Sequence, residues 1–145
     1  MRHSKAHVYL HIVWTTWQRQ PYITPDIERA VYHSIENEAK RLEATLLAIG
    51  GMPDHVHLVV KIPTRLSIAR LMNQIKGVSS HCVHEQLPGH EAFRWQEGYG
   101  VFSMGLNQVG RAIAYVQNQK RHHANKTLWP QWEEAEEECI PPMDQ

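Results

Sequence analysis

The chain has 145 residues, of which 42% are hydrophobic, enough to form the core of one domain. Its formal net charge is zero, but the charge is unevenly distributed. All 15 Lys and Arg residues lie in residues 1–130 with nine of the 15 acidic residues, so this part carries a formal charge of +6. We therefore predict a single domain over residues 1–130 and an acidic tail over residues 131–145. The basic domain favours a polyanionic ligand, although an ordinary solvated surface would have the same composition.

Several protein classes are disfavoured by the same composition. No apolar run approaches the length of a membrane span, and no charged-then-apolar leader opens the chain, so we expect a cytoplasmic protein without a membrane partner. The two cysteines, Cys82 and Cys139, lie far apart and form no C-x-x-C pair. We expect both to be reduced thiols rather than a disulfide.

The pattern of apolar residues predicts seven elements. Residues 7–16 form a strand rich in β-branched and aromatic residues, and Thr24 is the predicted N-cap of a helix that continues to Leu42. Two strands follow over residues 44–52 and 55–62, and then a helix capped by Ser67 that ends before Pro88. A glycine-interrupted strand over residues 93–104 and a helix over residues 107–123 complete the order.

This order predicts an α+β, ferredoxin-like (RRM-like) fold. Its antiparallel sheet would be covered by helices on one face, and an additional C-terminal helix would follow. We expect the other face of the sheet to be free for a ligand or another subunit.

The third strand contains two histidines separated by one residue. Because side chains alternate between the faces of a strand, His55 and His57 point to the same side, whereas Val56 points into the core. Two imidazoles on one face can chelate a divalent metal. Two surface histidines that flank a core valine are the alternative, and this motif alone does not decide between them.

The last predicted helix carries a tyrosine and a glutamine four residues apart. This spacing places Tyr115 and Gln119 on one face, while Ile113 and Val116 can pack on the sheet. Taken alone, Tyr115 is interpreted as an amphipathic residue with its hydroxyl at the rim of the core.

Combined in this order, the two motifs resemble those of the single-tyrosine HUH transposases of insertion sequences. The segments are His55-Val56-His57, a strand that reads Trp95-Gln-Glu-Gly-Tyr-Gly-Val-Phe-Ser, and Tyr115-Val-Gln-Asn-Gln119. The REP-associated tyrosine transposases, which are domesticated relatives, are a branch of the same group. The resemblance extends from about His7 to His123.

The resemblance implies an enzyme that cuts and rejoins single-stranded or hairpin DNA through a 5′-phosphotyrosine. Tyr115 would be the nucleophile, and His55, His57 and Gln119 would bind Mg²⁺ or Mn²⁺. It also implies a homodimer, in which the tyrosine helix can complete the active site of the partner. Tyr99 is a rival nucleophile, but no ligand-type residue follows it four positions later.

Basic residues near these motifs are candidates for contacts with the DNA backbone. They are Lys76, Arg94, Arg111, Lys120 and Arg121. Trp14, Trp17 and Trp95 could stack on bases, although packing in the core is the expected role of each.

Two further functional hypotheses belong to other classes. The first is a non-catalytic module that binds single-stranded nucleic acid on the sheet, although the aromatic motifs of RRM domains are absent. The second is a zinc hydrolase, but no third His, Cys or carboxylate ligand stands at a recognisable spacing. A domesticated REP-associated transposase is the alternative within the family itself.

Overall fold

The computed structural model describes residues 5–120 of the chain. The acidic tail and Arg121, both part of the predictions above, lie outside the described residues. The strands are β1 (Val8–Thr15), β2 (Thr45–Met52), β3 (His55–Ile62) and β4 (Gly100–Met104). The helices are α1 (Pro25–Arg41), α2 (Ile68–Gln86) and α3 (Leu106–Gln117), with a short 3₁₀ turn over Trp17–Arg19.

The four strands form one antiparallel sheet in the order β2-β3-β1-β4. The predicted α+β, ferredoxin-like arrangement with an additional C-terminal helix is confirmed. In the register between the two central strands, His57 lies opposite Val13 and His55 lies opposite Thr15. Both histidines therefore stand near the same end of the sheet, where β3 begins and β1 ends.

The main core lies between the sheet and the helices α1 and α2. The strands contribute alternate residues, among them Ile12, Trp14, Val56 and Leu58, all of which are fully buried. The helices contribute residues spaced by three or four positions: Ile27, Val31 and Ile35 from α1, and Leu71, Met72 and Ile75 from α2. Ser67 caps α2 as predicted, because its hydroxyl accepts a hydrogen bond from the Arg70 amide at 3.0 Å.

The opposite face of the sheet is covered by α3, so the expectation that it is free was wrong. Val109, Ala112 and Val116 form one apolar stripe on α3, spaced by three and four residues, and they pack against Ala48 and Val59. Burial of this stripe stabilises the helix against its own sheet.

The fourth strand is shorter than the predicted range of 93–104. Gly98 adopts a positive φ of 89°, and the Lys76 ammonium donates to the carbonyls of Gln96 and Gly98 at 2.6 and 3.1 Å. These carbonyls are satisfied by a side chain instead of a neighbouring strand. Regular pairing therefore begins only at Gly100, although Trp95 forms an isolated bridge with Thr16.

The last helix is interrupted at Asn118, whose backbone departs from the helical conformation and whose side chain donates to the Ala114 carbonyl at 2.7 Å. Gln119 and Lys120 are helical again, and the predicted limit at residue 123 lies outside the described residues. None of the helices within residues 5–120 is both long and apolar enough to span a membrane.

Candidate functional site

The two histidines of β3 lie beneath α3, on the side of the sheet away from the main core. His55 is 3% exposed and His57 is 0% exposed, and their ring centroids are 5.1 Å apart. Val56 between them belongs to the main core, as the alternation along the strand predicts. Buried imidazoles need polar partners, and each of these two has a different one.

His55 is held by a carboxylate at the turn between β2 and β3. Its Nδ1 lies 2.7 Å from Oδ1 of Asp54, and Arg19 forms an ion pair with the same carboxylate at 3.2 Å. Burial by itself would raise the pKa of Asp54, but the hydrogen bond and charge of His55, together with Arg19, outweigh it and hold that pKa below its ordinary value. The carboxylate therefore remains charged beside the imidazole at neutral pH.

His57 is held by a third histidine, which the sequence analysis did not select. Nδ1 of His57 lies 2.9 Å from Nε2 of His11, and their ring centroids are 5.1 Å apart. His11 is fully buried on β1. The only sequence signal for it was alternation, because its neighbours Leu10 and Ile12 point into the main core and leave His11 on the other face.

Tyr115 brings a phenol ring to the same cluster from α3. The side chain is 2% exposed and meets the rings of His57 and His11 edge-on, at centroid distances of 6.0 and 6.5 Å. The rim position considered in the sequence analysis is therefore not the one observed. Tyr99 instead packs against the main core, in the layer on the other side of the sheet.

Gln119 reaches the cluster from the helical residues that follow the interruption of α3 at Asn118. Its Oε1 lies 3.3 Å from Nε2 of His55, and the residue is 1% exposed. The four-residue spacing from Tyr115 predicts that Gln119 lies on a continuous helical face. The structure instead brings it to His55 after the irregularity at Asn118. The four selected residues Tyr115, His55, His57 and Gln119 all belong to this one buried cluster.

The end of α3 is held close to the sheet by two contacts. A Cβ atom added to Gly50 would lie 2.1 Å from the Val116 carbonyl oxygen, so the two backbones approach more closely than any other residue at position 50 would allow. The Lys120 ammonium also donates to the Gly51 carbonyl at 3.1 Å and contacts the Glu28 carboxylate. These contacts fix the part of the chain that carries Gln119.

The basic residues selected for DNA contacts are placed in different surroundings. The Lys76 ammonium donates a hydrogen bond to the Gln96 carbonyl in the loop before β4, and burial lowers its pKa. The Arg94 side chain is exposed and its guanidinium stacks on Trp17 at 4.0 Å. The segment that carries Arg94 joins the end of β1, because the Trp17 amide donates to the Arg94 carbonyl, and the preceding Thr16 amide donates to the Asp54 carbonyl. Arg111 is exposed on α3, and Lys120 is paired as described.

The tryptophans have the expected structural role in two of three cases. Trp14 and Trp95 are buried in the main core and meet edge-on, with ring centroids 5.5 Å apart. Trp17 is partly exposed beneath Arg94. Stacking of bases on Trp14 or Trp95 is thereby disfavoured.

A metal at this site would need the glutamine as a ligand. Residues 5–120 contain no group of three or more His, Cys, Asp or Glu side chains arranged to hold a metal ion. The candidate metal ligands under α3 are therefore the imidazoles of His55 and His57 and the amide oxygen of Gln119.

Comparison by sequence relates the chain to transposases. Residues 4–119 match the family described as IS200-like transposases. The transposase of insertion sequence element IS200 from Salmonella typhimurium is 26% identical over 125 residues, which covers 82% of this chain and 81% of that protein. The ISDra2 transposase TnpA of Deinococcus radiodurans is 20% identical over 129 residues, covering 82% and 91%.

Comparison by structure relates the fold to the same group. A putative transposase from Deinococcus radiodurans superposes with a TM-score of 0.66 at 20% identity, covering 82% of this chain and 95% of that one. A REP-associated tyrosine transposase bound to a REP hairpin superposes with a TM-score of 0.62 at 12% identity, covering 89% and 75%. At these identities the likeness shows the shared fold. The match over residues 4–119 includes every element of that fold, and the chain belongs to the IS200-like transposase family.

Proposed function

We propose that this transposase cuts and rejoins single-stranded DNA through a covalent bond to Tyr115. His55, His57 and Gln119 would hold a Mg²⁺ or Mn²⁺ ion beside it. The observation that carries the proposal is the convergence of these four side chains, from β3 and from the end of α3, in one buried cluster.

The donor atoms fit a divalent metal in their chemistry, and the spacing of one pair fits as well. Ligands at about 2.1 Å from an octahedral ion lie about 3 Å from each other when they are adjacent. Nε2 of His55 and Oε1 of Gln119, 3.3 Å apart, are close to that separation. Imidazole nitrogens favour Mn²⁺ over the harder Mg²⁺, which prefers oxygen ligands. When bound, the cation would offset the negative charge of the scissile phosphate and orient it.

Tyr115 supplies the nucleophile in this proposal. Its phenolic oxygen would lose its proton and form a bond to phosphorus, while the bond from phosphorus to the 3′ oxygen breaks. The 3′ oxygen takes up a proton and leaves as a hydroxyl group, and the 5′ end stays joined to Tyr115. One phosphoester bond replaces another, so the reverse attack by a 3′-hydroxyl can rejoin DNA without ATP.

Access of DNA to Tyr115 requires a change at α3. The side chain is 2% exposed in this arrangement, and its ring is packed against two histidines. A phosphodiester cannot reach it in this arrangement, so DNA binding would have to expose the tyrosine ring while the contacts of Lys120 with Gly51 and Glu28 keep Gln119 beside His55. Chemistry at Tyr115 would thus begin only after DNA has bound.

The proposed partner is single-stranded or hairpin DNA, bound by a homodimer. The formal charge of +6 on residues 1–130 supports binding of a polyanion. The solved relative bound to a REP hairpin supports a hairpin as the structured part of the substrate. Arg94 is a candidate for a backbone contact, because it is exposed and its segment is bonded to the end of β1, which in turn contacts the turn at Asp54.

Substitution of Tyr115 tests the proposal directly. Tyr115→Phe removes one oxygen and keeps the ring that packs on His57, so the fold and DNA affinity should be retained. Cleavage of an end-labelled strand containing a cognate site should be lost, together with the covalent protein–DNA species. Denaturing gel electrophoresis and mass spectrometry of the adduct measure both.

Tyr99→Phe is the matched control for this experiment. Its ring lies on the other side of the sheet, and the variant should cleave and form the adduct like the wild-type protein. An adduct that persists in Tyr115→Phe, or that maps to Tyr99, would overturn the assignment. Tight DNA binding without any adduct in the wild-type protein would favour the non-catalytic module.

A further inference from the structure

We infer that His11 is a positioning residue that fixes the tautomer of His57 and so directs Nε2 of His57 toward the metal. The inference deepens the proposed function and rests on the metal site proposed there. It concerns the hydrogen bond between His11 and His57, which connects β1 to β3 beneath α3.

The geometry of this contact is set by the sheet. His57 pairs directly with Val13 across the two central strands, and His11 lies two residues along β1 from that position. Diagonal neighbours on one face of a sheet are within reach of long side chains. The two rings are both 0% exposed, and their nitrogens are 2.9 Å apart, which is a normal hydrogen-bond distance.

The chemistry of imidazole assigns the roles in this bond. A neutral imidazole has one N–H group and one nitrogen lone pair, so a ligand that binds metal through Nε2 carries its proton on Nδ1. Nδ1–H of His57 would then donate to Nε2 of His11. His11 in turn would carry its own proton on its Nδ1. With His11 as the acceptor, the bond stabilises the tautomer of His57 that leaves the Nε2 lone pair for the metal.

The hydrogen-bond partners of the two proposed histidine ligands are buried to different extents, and this explains why one is a carboxylate and the other an imidazole. Asp54, the partner of His55, has a side chain that is 31% exposed, so solvent and Arg19 can stabilise its charge. His57 and its partner lie at 0% exposure. A carboxylate at that depth would have a large desolvation cost, whereas a neutral imidazole accepts the same hydrogen bond at a lower cost.

A direct metal-ligand role for His11 is disfavoured by the same contact. Its Nε2 is directed at Nδ1 of His57, at a distance that leaves no space for an ion between them. Within residues 5–120, no arrangement of three His, Cys, Asp or Glu side chains forms a metal site, and this includes His11 with His55 and His57. His11 therefore acts through His57.

Two substitutions of His11 distinguish its role as a hydrogen-bond acceptor from its role in packing. His11→Leu keeps an apolar volume but removes the acceptor, whereas His11→Gln has a side-chain oxygen that can accept from Nδ1–H of His57. In the metal-free protein, ¹⁵N NMR of the histidine rings reports the tautomer of His57. Mn²⁺ titration followed by electron paramagnetic resonance reports the affinity, and thermal melting without metal confirms that each variant is folded.

We expect the Nδ1–H tautomer of His57 in the wild-type protein and in His11→Gln. In His11→Leu we expect the Nε2–H tautomer and Mn²⁺ affinity lower by about 10–100-fold, the usual effect of losing such a partner. His11→Gln should recover most of that affinity. A folded His11→Leu with an unchanged tautomer and unchanged affinity would overturn the inference alone. Wild-type protein that binds no Mn²⁺ would instead overturn the metal site of the proposed function.

If His11→Leu does not fold, the wild-type protein and His11→Gln still test the inference. Wild-type protein with the Nε2–H tautomer of His57 would contradict the assigned roles without any substitution. His11→Gln with that tautomer and with the Mn²⁺ affinity of the wild-type protein would show that the tautomer does not govern binding. Each of these results is independent of cleavage activity, so a failure of the tyrosine chemistry would not produce it.

Discussion

At the scale of single residues, the imidazoles of the cluster are oriented by residues outside the H-x-H motif. Asp54 holds Nδ1 of His55, so Nε2 of His55 faces Gln119. His11 holds Nδ1 of His57. Partners of this kind fix the tautomer of a metal-binding histidine and raise its basicity. The affinity of the proposed site for metal therefore depends on residues that would never touch the ion.

Asp54→Asn should weaken Mn²⁺ binding by about tenfold, near the lower end of the 10–100-fold range for such partners. The amide oxygen can still accept from His55 Nδ1–H, but the negative charge that stabilises the metal-bound imidazole is lost. Isothermal titration calorimetry with Mn²⁺ measures the change. Asp26→Asn is a suitable control, because Asp26 also contacts a histidine, His90, at 3.2 Å outside the site. Equal affinities of the two variants would contradict a role for Asp54.

The sequence predicted the residues of the motifs but not their supports. Alternation along a strand placed His55 and His57 on one face, and the structure agrees. His11 could not be selected in the same way, because its contact depends on the register between β1 and β3, which no local pattern contains. Asp54 could not be selected from the sequence either, since the reach of its side chain to His55 follows from the geometry of the turn between β2 and β3.

At the scale of elements, the end of α3 determines the shape of the site. Tyr115 lies in the regular helix, but Gln119 follows the irregularity at Asn118. The position of Gln119 thus depends on how closely the last turn of α3 approaches β2. That approach is possible because position 50 has no side chain.

Gly50→Ala should displace the end of α3 and weaken both folding and metal binding. The new Cβ would meet the Val116 carbonyl oxygen at 2.1 Å, and backbone atoms cannot move aside as a flexible side chain can. Overpacking of this kind destabilises by about 1–3 kcal/mol. We expect a lower melting temperature and, because Gln119 moves away from His55, a lower Mn²⁺ affinity. Thermal melting and metal titration measure the two effects.

Gly110→Ala is the matched control on the same helix. A Cβ at Gly110 has no neighbour within 4 Å, and alanine in a helix interior is favoured over glycine by about 0.5–1 kcal/mol. The melting temperature should rise slightly, and Mn²⁺ affinity should stay unchanged. If Gly50→Ala bound Mn²⁺ as tightly as Gly110→Ala, the docking of α3 on β2 would not govern the site.

The elements themselves were mostly predictable, and the two errors share a cause. Periodicity predicted all seven helices and strands in the right order, since each buries an apolar face. It overextended β4, where Lys76 satisfies the carbonyls of the preceding loop, and it missed the interruption of α3 at Asn118, whose side chain also donates to the Ala114 carbonyl. In both places a side chain donates to a backbone carbonyl, and hydrophobic patterns do not record such bonds.

At the scale of the whole molecule, each chain contains a complete set of proposed active-site residues. A single residue, Gly105, joins β4 to α3, and the helix then packs on its own sheet through Val109, Ala112 and Val116. Tyr115 and Gln119 consequently meet the histidines of the same chain. This arrangement favours action of Tyr115 within its own subunit, even if the protein is a homodimer.

Mixing two inactive variants distinguishes action within a subunit from action between subunits. Tyr115→Phe keeps the histidines, and His57→Ala keeps the tyrosine. If Tyr115 served the partner's site, a mixed dimer would contain one intact site and cleavage would return after co-refolding. We expect no return of cleavage, because the tyrosine and the histidines that it meets belong to one chain. Co-refolding of each variant with wild-type protein, which should retain activity, confirms that mixing itself does no harm. Substantial cleavage by the mixture of variants would show instead that α3 crosses to the partner when DNA binds.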